Sequence, residues 1–83
     1  MGQMTKDEIV TALVAKDVPK ARAVMYADAF LEYREATENI DKNGAIVTHP
    51  RNGNPVENPY LVIRDRALKK LDSMRKIPAD FLW

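Results

Sequence analysis

Residues 51–60 read RNGNPVENPY, from Arg51 to Tyr60. Asn52-Gly53 is a favoured pair for a tight hairpin turn, because both central residues of such a turn must tolerate positive φ. Upstream lies Ala45-Ile46-Val47-Thr48, the β-branched cluster of the chain. Pro50 and Pro55 have no N–H to give to a ladder, which restricts the pairing to a short, edge-like hairpin. Asn58-Pro59 then reads as an N-cap followed by proline at a first helical position. The stretch therefore predicts a turn, a brief return strand and a helix start.

The two flanks of this hairpin are helical in pattern. From Pro19 to about Lys42, Ala23, Tyr26, Phe30, Tyr33, Thr37 and Ile40 recur at spacings of three and four, with no charge among them. Asn43-Gly44 supplies the stop. Val24, Ala27 and Leu31 make a second stripe, in the first half only; beyond Leu31 that side carries Arg34, Glu35 and Glu38. At 1.5 Å per residue this helix is a rod of about 36 Å. After the hairpin, Tyr60, Ile63, Ala67, Leu71 and Met74 line one side of a third helix reaching about Arg75. Arg64 and Arg75 fall within that apolar arc, where they must snorkel or meet a carboxylate such as Glu35, Glu38 or Asp41.

Near the N-terminus, Thr5-Lys6-Asp7-Glu8 has the spacing of a capping box. It opens a short amphipathic helix to about Lys16, broken by Asp17-Val18-Pro19. The expected fold is mostly α in one small domain over residues 1–83: an N-terminal helix and link (1–18), a long helix (19–43), a β-hairpin (44–58), a third helix antiparallel to the second (59–76), and a tail (77–83).

Composition narrows the function classes. Eighty-three residues is near the lower end of chains that fold without staples. The absence of cysteine removes thiolate ligands and thiol nucleophiles and suits a reducing compartment. No apolar run approaches the roughly 20 residues that span a bilayer, so no membrane partner is expected. Met1-Gly2-Gln3-Met4 lacks the basic and apolar regions of a secretory signal. The net charge is +1. Residues 1–42 hold 6 basic and 8 acidic side chains, and residues 43–83 hold 7 and 4, so the positive charge is concentrated in the third helix.

Catalysis is not expected. The chain has one histidine, no cysteine and no Gly-rich loop followed by Lys-Ser or Lys-Thr. His49 has no second ligand at metal spacing and reads as an exposed loop residue. No catalytic residue, metal or cofactor is assigned. Three surfaces remain. The stripe Tyr26, Phe30, Tyr33, Thr37, Ile40 is either the face covered by the third helix or a surface for self-association; the first half of the rod is apolar on two sides, and the first helix is the rival cover for the second. The cations Arg66, Lys69, Lys70 and Lys76 are either a solvated face or contacts to phosphates, testable by charge reversal at Lys69 and Lys70. Lys20 and Arg22 are the DNA-facing candidates if the first two helices act as a helix-turn-helix. The ending Phe81-Leu82-Trp83 is either a protein contact or a lid folded back over the hairpin.

From Tyr26 to Met74 the chain resembles the phage terminase small subunit family. The resemblance rests on "YADAFLEYREATENIDKNGAIV", "NGNPVENPYLVI" and "RALKKLDSM", the most specific element being "NGNPVENPYL". The ending "RKIPADFLW" departs from the family pattern, which continues into a Gly-Leu-Thr-Pro-like turn and an arginine. The resemblance implies a non-enzymatic packaging subunit in the cytoplasm of a bacterial host. It would form homo-oligomers such as rings through a helical hairpin and recognise viral double-stranded DNA. It would also present that DNA to the terminase large subunit, the ATPase and nuclease, with the large-subunit contact at the C-terminus. Two alternatives of other classes are a stand-alone DNA-binding regulator and an oligomeric helical adaptor without nucleic acid. Light scattering and DNA titration against salt separate the three.

Overall fold

The computed structural model describes residues 3–83; Met1 and Gly2, which begin the segment read above for a secretory signal, lie outside them. The elements run α1 (Lys6–Val14), α2 (Lys20–Asn43), β1 (Ile46–Thr48), β2 (Pro55–Glu57) and α3 (Tyr60–Ser73), then a 3₁₀ turn at Asp80–Leu82. This is the mostly helical architecture expected, with α2 and α3 packed together and a small antiparallel hairpin between them. The molecule measures 50 × 29 × 18 Å, with a radius of gyration of 15.2 Å. A compact chain of this length would have about 12 Å. The excess reflects a long two-helix layer and a hairpin none of whose strand residues is buried.

Local chemistry places the ends of α1. The capping box forms: Thr5 N–H donates to Glu8 Oε1 at 3.1 Å, and Glu8 N–H donates to Thr5 Oγ1 at 3.3 Å. The Thr5 backbone N–H first, and the Thr5 hydroxyl after it, hold the Glu8 carboxyl below its ordinary value. At the other end Val18 N–H donates to Leu13 O and Asp17 N–H to Val14 O. That is a Schellman pattern, with Val18 buried as Leu13 is. It requires a left-handed residue, and Asp17 takes φ 67. The helix is thus stopped by backbone geometry at Asp17 before Pro19 is reached. An aspartate there carries strain of about 1 kcal/mol that glycine would not. Asp17→Gly is expected to stabilise the chain by about 0.5–1 kcal/mol in urea unfolding.

The core sits where α1, the first half of α2 and the end of α3 meet. Ile9 and Leu13 of α1 are fully buried, in one cluster with Ala23, Ala27 and Phe30 of α2, Leu71 of α3 and Met74 at its C-cap. Val24 and Leu31 are half-buried, so α1 supplies the second cover that the two-sided first half of α2 required. The face α2 turns toward α3 is centred on small residues. Ala29 lines a groove with Lys70 of α3 and Met74 just past it, and Ala36, one heptad on, is fully buried, as is Ala67 of α3. Alanines let two helix backbones approach closely, and each Cβ here is a contact surface. This face was not identified by the stripe of larger residues, which lies beside it.

The hairpin differs from expectation at its turn. The ladder pairs Ile46 with Glu57, Val47 with Val56 and Thr48 with Pro55. His49 N–H donates to Asn54 O at 2.8 Å and Gly53 N–H donates to His49 O at 3.0 Å, so Pro50–Gly53 form a four-residue connection. Only Gly53, at φ 71, has positive φ in this loop; Asn52 does not. Instead Pro50 presets a first turn position, and Asn52 Oδ1 accepts from Asn54 N–H at 2.9 Å. His49 is half-buried rather than exposed, and its Nδ1 accepts from Arg51 N–H at 3.1 Å. Its visible role is to build the turn.

Asn58 answers why the stretch ends as it does. It is 2% exposed. Its Oδ1 accepts from Tyr60 N–H at 3.0 Å, the capping role the sequence implied, while Pro59 already has helical angles. Its Nδ2 spends both hydrogens elsewhere, on Asn39 Oδ1 and on Gly44 O, each at 2.9 Å. Its own N–H donates to Ala45 O at 2.7 Å. One side chain therefore ties the end of α2, the chain leaving it and the start of α3. Gly44, at φ 87 and ψ 169, makes the bend that brings its carbonyl there. That combination is almost exclusive to glycine.

Candidate interaction surfaces

The tail decides what the aromatic stripe meets. Ala79 is buried, and the 3₁₀ turn behind it carries Trp83 onto α2. Trp83 Nε1–H donates to Tyr26 Oη at 3.0 Å. Its ring meets Phe30 edge-on, with centroids 5.2 Å apart and planes at 83°, and lies 5.3 Å from Tyr33. The lid expected over the hairpin thus lies instead over the opposite half of α2. The physical reason is direct: α3 runs antiparallel to α2, so its end, and whatever follows it, arrives beside the start of α2.

Of the five stripe residues, Tyr26 and Phe30 are buried within one copy at 4% and 7% exposure. Tyr33, Thr37 and Ile40 are half-buried. Thr37 Oγ1 is buried with no hydrogen-bond partner. Trp83 leaves most of its own surface in solvent, at 61%. Phe81 is exposed, with Lys16 Nζ 5.7 Å from its ring centre, and Leu82 is half-buried against the core. The apolar face of α2 therefore continues outward through Trp83 and Leu68 of α3, which line one groove with Tyr26 and Arg75.

A second groove lies elsewhere on the layer, lined by Met25, Asp28, Ala29 and Glu32 of α2, Lys70 of α3 and Met74 just past it. Met25 is 61% exposed. Nothing in the sequence pattern singled it out, since Met25 follows no stripe and Ala29 is small.

The six candidate cations are all exposed, but they do not form one patch. Lys20 and Arg22 begin α2, and antiparallel packing brings Lys76, just past α3, to the same end of the molecule. Arg66 and Lys69 lie along α3 facing away from its buried side, which Ala67 and Leu71 define, and Lys70 stands at the edge of a groove against α2. Around Lys20 and Arg22 the exposed surface of α2 soon turns acidic at Asp28, which Lys6 pairs at 2.9 Å. The first half of α2 buries its other faces against α1, α3 and the tail, while Ala21, Arg22, Met25 and Asp28 stay exposed.

The arginines of the α3 apolar arc do not reach the carboxylates proposed for them. Arg64 has its nearest carboxylate in Asp65, with Nε 3.9 Å from Oδ1, and Arg75 is exposed. The acidic end of α2 serves the N-terminal segment instead: Gln3 Nε2 donates to Glu38 Oε1 at 2.6 Å, and Arg34 Nη1 donates to the Met4 carbonyl at 3.2 Å.

Among the described residues, no three of His, Cys, Asp and Glu come together as a metal would require, and no helix is long and apolar enough to cross a membrane. What the chain presents is grooves between helices, a projecting hairpin and separated cations. No curated protein and no solved structure matches it. Residues 7–77 do match a family model, that of the phage terminase small subunit, from α1 through α3 and past its end, and the chain belongs to that family.

Proposed function

We propose that this protein is the non-catalytic small subunit of a phage-type terminase, acting in the cytoplasm of a bacterial host. It self-assembles, organises viral double-stranded DNA and docks the large ATPase and nuclease subunit for genome packaging. The observation that carries this reading is the family match across residues 7–77. The division of the α2–α3 layer supports it: one surface is apolar and aromatic, and another carries Arg66 and Lys69 into solvent. Self-association uses the half-buried end of the stripe, Tyr33, Thr37 and Ile40, with Tyr26 and Phe30 as its rigid backing. Phe81, Leu82 and Trp83 provide a contact for protein partners, and the exposed Phe81 is the part free for the large subunit.

Mass measurement in solution tests the assembly: a multiple of 9.4 kDa is expected, and a strict monomer at high concentration contradicts it. DNA titrated at several salt concentrations tests the rest. Each phosphate contact contributes about −0.9 to the slope of log K against log salt. Charge reversal at both Arg66 and Lys69 is therefore expected to flatten that slope by about 2 and to weaken binding at least tenfold at low salt. An unchanged slope clears this face of DNA contact, and an unmodified chain with no salt-dependent affinity is not the DNA-binding component.

A further inference from the structure

We propose that the hairpin is a DNA-reading element whose tip, residues 51–54, enters the major groove of a duplex, with Arg51 selecting guanine. The inference rests on the DNA-organising role proposed above and adds a base contact to the phosphate contacts proposed for α3.

Residues 44–59 join two antiparallel helices that a much shorter loop would serve. Sixteen residues are used, where neighbouring helices need about 2–8. The extra length is ordered but not buried. Four hydrogen bonds lie within residues 49–54: His49 N–H to Asn54 O, Gly53 N–H to His49 O, Arg51 N–H to His49 Nδ1 and Asn54 N–H to Asn52 Oδ1. Residues 50–55 are nevertheless all exposed, and a Cβ placed on Gly53 would meet nothing within 4 Å. Packing against the body does not account for this order. Asn58 ties the foot of the hairpin to both helices, so the tip stands on a fixed base. Structured connections held clear of the core are where binding residues concentrate.

The chemistry of the tip selects the partner. Residues 42–56 contain no carboxylate, the longest such run in the chain. Arg51 is in no ion pair among the described residues. Glu57, the carboxylate of the hairpin, pairs with Ile46 at the foot of the ladder, about 10 Å along the strand from Asn54. A guanidinium free of neighbouring acids is suited to a polyanion. Its fork matches O6 and N7 of guanine, and the exposed amide of Asn54 has the donor and acceptor that complement adenine.

Shape selects the groove. Paired strands lie about 4.8 Å apart. A two-stranded ribbon enters the major groove, about 12 Å wide, but not the minor groove, about 6 Å wide. The strand rises about 10 Å from Ile46 to His49, more than the roughly 8.5 Å depth of the major groove. The tip therefore reaches base edges while Glu57 stays outside.

Selection from a pool of duplexes of random sequence supplies a preferred duplex for the test, and a scramble of it is the reference. Arg51→Ala is expected to weaken binding to the preferred duplex by about fivefold to 150-fold, the worth of one bidentate base contact. Affinity for the scramble should change little. Arg51→Lys keeps the charge and loses the fork, so it should retain the salt slope and lose most of the preference. Guanine replaced by 7-deazaguanine in the preferred duplex lacks the N7 acceptor; this should weaken the unmodified chain and leave Arg51→Ala unaffected. Arg51 serves the turn through its backbone N–H, so both variants should keep the thermal midpoint. Equal losses on the two duplexes, or no loss, overturn reading by the hairpin while leaving DNA organisation standing. Salt-dependent binding without any preferred duplex does the same. An unmodified chain with no salt-dependent affinity overturns both together.

Discussion

Replacing Asn58 with alanine is expected to destabilise the chain by about 3 kcal/mol, a large share of the total for a domain this small. The substitution deletes three bonds at once. It leaves the Gly44 carbonyl, Asn39 Oδ1 and the Tyr60 N–H without their partner at a junction where Asn58 itself is almost wholly buried. An unsatisfied buried group costs about 1–3 kcal/mol, and loss of a helix cap about 1 kcal/mol. Partial access of water to Asn39 and Tyr60, both half-buried, keeps the sum below the full total. Urea unfolding should show a midpoint lowered by roughly 2–3 M, since slopes for small domains start near 1 kcal/mol/M, with the slope itself unchanged.

Asn58→Asp separates the capping role from the tying role. It keeps an acceptor for the Tyr60 N–H but turns a carboxylate oxygen toward Asn39 Oδ1 and the Gly44 carbonyl. Near neutral pH it should be at least as damaging as alanine. A loss under 1 kcal/mol for Asn58→Ala would mean that the hairpin and α3 are held by packing alone.

The same residue shows how far the sequence could be read. The capping half of its role was legible, because Asn-Pro at a helix start is a local signal that backbone chemistry makes recurrent. So was the capping box at Thr5 and Glu8, whose partners are three residues apart. The tying half was not, since Asn39 and Gly44 lie 19 and 14 residues away and no periodicity connects them. Pro50 misled in a related way: its effect on the ladder was foreseen, its effect on loop length was not. Ala29 and Ala36 stayed invisible for another reason. A hydrophobic pattern weights residues by side-chain size, whereas close helix packing selects for the lack of it.

The largest stability loss is expected from Phe30→Ala, at about 3–5 kcal/mol for a buried phenylalanine. The stripe Tyr26, Phe30, Tyr33, Thr37, Ile40 admits two physical roles, core and contact between copies, and a single helix pattern cannot distribute them. The structure gives the first two residues to one copy's interior: Phe30 touches the core cluster, takes the edge of Trp83 and lines a groove with Met4, Arg34 and Leu82. Its removal should lower the thermal midpoint by at least 12 °C, since 1 kcal/mol shifts a domain of this size by about 4–8 °C. Adding Trp83→Ala should cost less than it does alone, by about 0.5–1.5 kcal/mol, the usual worth of an aromatic pair. Ile40, half-buried near the other end of the rod, should behave oppositely: Ile40→Ala leaves the midpoint of dilute protein nearly unchanged and weakens association at high concentration. If Phe30→Ala instead abolished assembly while the midpoint stayed within a few degrees, Phe30 would belong to the contact between copies, and the tail would be covering a surface that the assembled protein uses.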